Sequence, residues 1–126
     1  MTTKILVVED DYANQQVATL YLKKLGYLSD VAENGAVALD LSQKYQYEII
    51  LMDCQMPIMD GFMATKMIRE TAGLNQATPI IALTANLVSG IREECQESGM
   101  DDILNKPIAV AEMKKILDKW CDGKAD

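Results

Sequence analysis

No histidine occurs anywhere in this 126-residue sequence. That absence removes Ser-His-Asp and Cys-His catalysis, histidine metal ligands and any phosphohistidine carried by the chain itself. Cysteine is scarce and odd in number: Cys54, Cys95 and Cys121 form no C-x-x-C pair, which argues against a disulfide framework or a zinc site. No apolar run approaches membrane-spanning length, and Met1-Thr2-Thr3-Lys4 leads straight into a strand-like run. Neither a membrane association nor a signal peptide is expected, and the cytoplasm is the fitting compartment. Positive charge is in deficit. Twelve Lys and Arg against 19 Asp and Glu give a net charge of −7, which opposes direct binding to nucleic-acid phosphates. Chemistry is left to carboxylates, hydroxyls, thiols and lysine.

The sequence does have a composition, 49% hydrophobic and 25% charged, that is ordinary for one soluble domain. The expected division is a domain over residues 1–121 and a short tail over 122–126. Apolar runs near 4–8, 49–52 and 80–83 are short, β-branched and continuous rather than alternating, which predicts parallel strands buried on both faces. Weaker strands fit Leu28 to Ala32 and Asp102 to Leu104. Helical periodicity fills the intervals. Val17, Ala18, Tyr21, Leu22 and Leu25 form one stripe, closed by Gly26. Asn34 caps a second helix bearing Ala38, Leu41 and Tyr45, and Asp60 precedes a third with Met63, Met67 and Ile68 inward. A fourth is predicted from about Asn86 to Ser98, and a fifth carries Val110, Met113, Leu117 and Trp120. Five β-α units predict an α/β doubly wound sheet of order 2-1-3-4-5, whose switch point lies between strands 1 and 3.

That order gathers the polar strand exits at one crevice: Glu9 and Asp10 after the first strand, Asp53 after the third, Thr84 after the fourth and Lys106 after the fifth. Each alone is commoner as a turn residue, cap or surface charge. Their joint placement at four strand ends favours a site. Clustered carboxylates raise one another's pKa values unless a cation joins them, and oxygen ligands without His or Cys favour Mg²⁺. An ionised Asp53 can act as nucleophile without a histidine base, while the metal, Lys106 and the Thr84 hydroxyl stabilise a transferring phosphoryl group.

On the residues Lys4-Ile-Leu-Val-Val-Glu-Asp, Met52-Asp-Cys-Gln-Met-Pro-Ile-Met-Asp-Gly, Ala82-Leu-Thr-Ala and Asn105-Lys-Pro, the chain resembles a response-regulator receiver domain of two-component signalling. The resemblance implies a flavodoxin-like (βα)5 sandwich in which Asp53 is the phosphoacceptor. It also implies that Asp10 ligates Mg²⁺ directly, that Glu9 acts mostly through water, and that the Gln55 backbone carbonyl completes the protein ligands. Thr84 and Lys106 would contact the phosphoryl group, and Lys106-Pro107 would be a cis peptide. Asp11 reads as a helix N-cap. Gln55 and Asn86 stand where such domains tune hydrolysis. The implied donor is a histidine kinase or histidine phosphotransfer protein, docking near Ala13, Gln16 and Leu20. The downstream target would be another protein, reached by contact. The Cys54–Gly61 segment is similar to receivers of hybrid kinases.

The pattern departs at Ile103, where such domains usually carry Tyr or Phe. A repacking fourth helix, weakened internally by Gly90, is the expected substitute for the aromatic switch. Two other classes stay open. A Mg²⁺-dependent phosphatase with an Asp nucleophile would need a second Asp at position 55 as proton carrier, and Gln55 is there instead. A nucleotide binder would need a Ser/Thr/Gly-rich loop after the first strand, where Glu9-Asp10-Asp11 would repel phosphate. Cys54 reads as a small filler, and Gly61 as a hinge at a helix start.

Overall fold

Short apolar runs with polar exits become five parallel strands. The structure, a computed structural model, describes residues 4–85 and 90–121. In chain order the elements are β1 (Lys4–Val8), α1 (Tyr12–Lys24), β2 (Leu28–Ala32), α2 (Gly35–Lys44), β3 (Ile49–Asp53), α3 (Gly61–Glu70), β4 (Ile80–Thr84), α4 (Ile91–Ser98), β5 (Asp102–Asn105) and α5 (Val110–Trp120). The sheet runs β2-β1-β3-β4-β5, the order expected from the sequence, and every neighbouring pair is parallel.

β3 and β4 are buried at every position, as central strands covered on both faces must be. The edge strand β2 leaves Leu28 and Val31 exposed. On one face, Ala18 and Leu22 of α1 and Met113 and Leu117 of α5 pack with Val7, Leu51, Leu83 and Leu104. On the other, Ala38 of α2, Ala64 and Ile68 of α3 and Cys95 of α4 pack with Val8, Met52 and Ala82. Asp11, Asn34 and Asp60 begin α1, α2 and α3, each side chain accepting from a first-turn backbone N–H at 2.9 Å. Such caps contribute about 1 kcal/mol each.

Several helix faces are rotated from the sequence-based expectation. Val17, Met63 and Val110 are exposed, and so is Tyr45, which follows α2. In α3 the buried set is Gly61, Ala64, Thr65 and Ile68, spaced to form one stripe, so Met63 falls outside it. The described fourth helix runs from Ile91 to Ser98; the start expected near Asn86 falls in 86–89, which lie outside the described residues, as does the tail 122–126. Gly90 is not an interior helical residue: it precedes α4 with φ 95°, in the left-handed region.

Two side chains with no sequence signature stitch the edge of the sheet where the strands begin. Buried Asn75 donates to the Ser42 and Tyr45 carbonyls and accepts from Tyr47 N–H at 2.9 Å. Arg69 of α3 reaches the carbonyls of Gly99, Gln76 and Thr78 and the Asp101 carboxylate at 2.7–2.9 Å.

Candidate active site

The strand register assembles the polar exits. Val8 pairs with Met52, so Glu9 and Asp53 lie side by side at the carboxyl edge. Asp53 pairs with Leu83 and Thr84 with Asn105, which brings Thr84 and Lys106 to the same rim. Asp53 is 4% exposed, Glu9 2% and Thr84 6%, while Asp10 is exposed on the turn. The crevice they line has a volume of about 570 Å³. All the residues singled out from the sequence as Glu9, Asp10, Asp53, Gln55, Thr84 and Lys106 border it.

Lys106 Nζ bridges the two buried acids, at 2.9 Å from Glu9 Oε1 and 3.1 Å from Asp53 Oδ2. Burial, and then the hydrogen bond with Asp53, push the Glu9 carboxyl above its ordinary value, with Lys106 pulling against them. Burial also works to lower the Lys106 pKa, but the hydrogen bond to Glu9 and the charge of Asp53 outweigh it and hold the ammonium above its usual value. The second Asp53 oxygen, Oδ1, accepts from the Gln55 backbone N–H at 3.3 Å. The Lys106–Pro107 peptide is cis.

The donor set suits a hard divalent cation. Carboxylate oxygens of Glu9, Asp10 and Asp53 lie within 4.8 Å of one another, with no sulfur or imidazole among them. Lys106 offsets only part of their charge, so a cation would relieve repulsion that the protein alone leaves in place.

Local sequence explains how Asp53 is presented. Gly61 opens α3 against the Asp53 backbone: its N–H donates to the Cys54 carbonyl at 3.1 Å, and a Cβ at 61 would overlap the Asp53 carbonyl oxygen. Gly61 thus serves close approach, where the sequence suggested a hinge. Cys54 is buried beside Cys95, and burial drives its thiol pKa far up, as suits an inert filler. Asn14 of α1 and Glu94 of α4 also border the crevice. Neither is legible in the sequence, because a single polar residue on a helix has no pattern that tells which way it faces. Ile103 is half-buried and packs against the core beneath α2, α3 and α4.

The family model for the response regulator receiver domain matches residues 5–118. The chain belongs to the response regulator receiver family. Among its relatives, the hybrid signal transduction protein dokA of Dictyostelium discoideum is 43% identical over 116 residues, which are 92% of this chain and 7% of that protein. Hybrid signal transduction histidine kinase B of the same organism is 43% identical over 120 residues, 87% of this chain and 6% of that protein. The chain therefore spans less than a tenth of the length of these relatives. Among solved structures, the receiver domain of a Pseudomonas aeruginosa sensor histidine kinase has magnesium coordinated in its active-site cleft. It is 41% identical, with a TM-score of 0.90 and coverage of 98% of this chain and 100% of that one. The Saccharomyces cerevisiae Ssk1 receiver, solved with the histidine phosphotransfer protein Ypd1, is 26% identical, with a TM-score of 0.87 and coverage of 99% and 92%. This receiver is a module of phosphorelay signalling with the flavodoxin-like fold expected from its sequence.

Proposed function

We propose that this receiver takes a phosphoryl group from a partner's phosphohistidine onto Asp53, with Mg²⁺ held by Asp10, Asp53, the Gln55 carbonyl and, through water, Glu9. The supporting observation is the Lys106 bridge: one ammonium group touches the acceptor carboxylate and its acidic neighbour at a crevice open to an incoming anion. The Asp53 oxygen attacks phosphorus, the new O–P bond forms as the N–P bond breaks, and the imidazole leaves with the electron pair. Lys106 and the Thr84 hydroxyl take up charge on the phosphoryl oxygens. A bound Mg²⁺ would supply Lewis-acid neutralisation of the same group.

Turnover is confined to the receiver's own acyl phosphate. Gln55 replaces the acid that a phosphatase of this type would use, and its side chain is exposed. Residues 1–121 form the receiver and 122–126 a tail. The partner is a histidine kinase or histidine phosphotransfer protein, the output is contact with a further protein, and the setting is cytoplasmic. Among the described residues no helix is long and apolar enough to cross a membrane. The likeness to hybrid kinases supports a place within a longer signalling chain. Incubation with acetyl phosphate and Mg²⁺, read by intact mass, is expected to add one phosphoryl group to the wild type and none to Asp53→Asn. An equal gain in the variant, or no gain in the wild type, rejects the assignment.

A further inference from the structure

We propose that Gln15 is a positioning residue for the metal site, acting through the Glu9–Asp10 peptide to aim the Asp10 carboxylate; the inference rests on the reading of Glu9, Asp10 and Asp53 as cation ligands. Glu9 is restrained along its whole length. Its N–H donates to the Ala32 carbonyl at 3.0 Å, Lys106 holds Oε1, and the Asp11 N–H donates to Oε2 at 3.3 Å. Among the described residues, by contrast, no hydrogen bond or ion pair involves the exposed Asp10 carboxylate. Its direction depends on the backbone that carries it.

The Glu9 carbonyl and the Asp10 N–H belong to one planar peptide, so fixing one fixes the other and the bond to the Asp10 Cα. Gln15 Nε2 donates to that carbonyl at 2.7 Å, reaching back from the first turns of α1. The helix is itself anchored to the turn by the Asp11 cap, and Gln15 N–H donates to the Asp11 carbonyl at 3.0 Å. One side chain therefore closes a ring between helix and turn around the least restrained acid. Groups that orient ligands without touching the metal typically change metal affinity by about 10–100-fold when removed.

Gln15→Met keeps length and helix propensity while deleting the donor. Titration calorimetry on the full chain is expected to show Mg²⁺ binding weakened by about tenfold, in line with such outer groups. At saturating Mg²⁺ the rate of phosphorylation by acetyl phosphate should stay near that of the wild type. Thr19→Val removes a hydroxyl that donates to the Gln15 carbonyl at 2.9 Å, one turn further on, and should leave Mg²⁺ affinity unchanged. In an Asp10→Asn background the Gln15 effect should vanish, since the two act in series. The wild type gives a second readout without any variant: the Gln15 side-chain amide resonances should shift when Mg²⁺ is added. Equal Mg²⁺ affinity in wild type and Gln15→Met overturns the proposal, as does an undiminished effect in Asp10→Asn or an unmoved amide. If the wild type takes up no Mg²⁺, the metal reading itself fails and the proposal goes with it.

Discussion

Asp102 shows at the scale of single residues how a charge can be fixed without serving the crevice. It opens β5, far along the strand from Lys106. Burial alone would raise its pKa, but the hydrogen bond from Trp120 Nε1 at 2.9 Å, the Ile103 N–H at 2.9 Å and Lys119 at 3.1 Å more than reverse this. The folded carboxyl therefore titrates below its ordinary 3.8. A depressed folded pKa contributes stability that is present above the unfolded value and lost as pH falls through the folded one. Trp120 is the only tryptophan, so its emission should change in that acid window, and Asp102→Asn should remove the step while leaving phosphorylation intact. A variant that retains the step would show that another carboxyl governs it. The strand-end residues around the crevice were legible because a polar residue after an apolar run marks where a strand leaves the sheet. Gln15, Arg69 and Asn75 were not, because they bind mostly backbone carbonyls, which every residue carries and no sequence pattern displays.

At the scale of elements, α4 is held unequally at its two ends. Its carboxyl end is clasped by Arg69 through the Gly99 carbonyl and the Asp101 carboxylate. Its amino end has Gly90 in the left-handed region and no side-chain cap. Two readings of Gly90 predict opposite signs. An interior helical glycine would stabilise on conversion to alanine by about 1 kcal/mol. A left-handed glycine should instead destabilise by about 1 kcal/mol, because the added Cβ penalises that backbone conformation. Among the described residues no neighbouring atom within 4 Å would meet the new methyl, which leaves the backbone effect as the expected one. Urea unfolding of Gly90→Ala is expected to show a lower midpoint at unchanged slope; a raised midpoint would reject the left-handed assignment. Helix boundaries were the weakest part of the sequence reading for the same reason. The hydrophobic stripe of α4 does not reveal that its first turn starts after a glycine that has left helical geometry. β1, β3 and β4, by contrast, were legible nearly to the residue, since continuous burial leaves an unbroken apolar run.

At the scale of the molecule, a net charge of −7 surrounds a crevice that must admit an anion. A donor protein gains from binding beside that crevice rather than across the acidic surface at large. Tyr12 at 72% and Leu20 at 52% are exposed apolar side chains on α1, the helix that starts at the acidic turn. Leu20 does not line the crevice, so Leu20→Glu should slow transfer from the cognate phosphohistidine donor and spare phosphorylation by acetyl phosphate. Equal rates with the cognate donor would remove α1 from the docking surface.

The clasp formed by Arg69 and Asn75 has a further consequence at this scale. These ties, and the Asp102–Trp120 bond, sit toward the end of the sheet opposite the acids. The fold thus has a fixed base and a separately written head. Phosphate lifetime should respond to substitutions in the turns after β1, β3 and β5 that spare Glu9, Asp10, Gln55 and Lys106, while the base is left untouched. For an engineer grafting a new input or output, this divides the molecule into a chassis and a set of replaceable fittings.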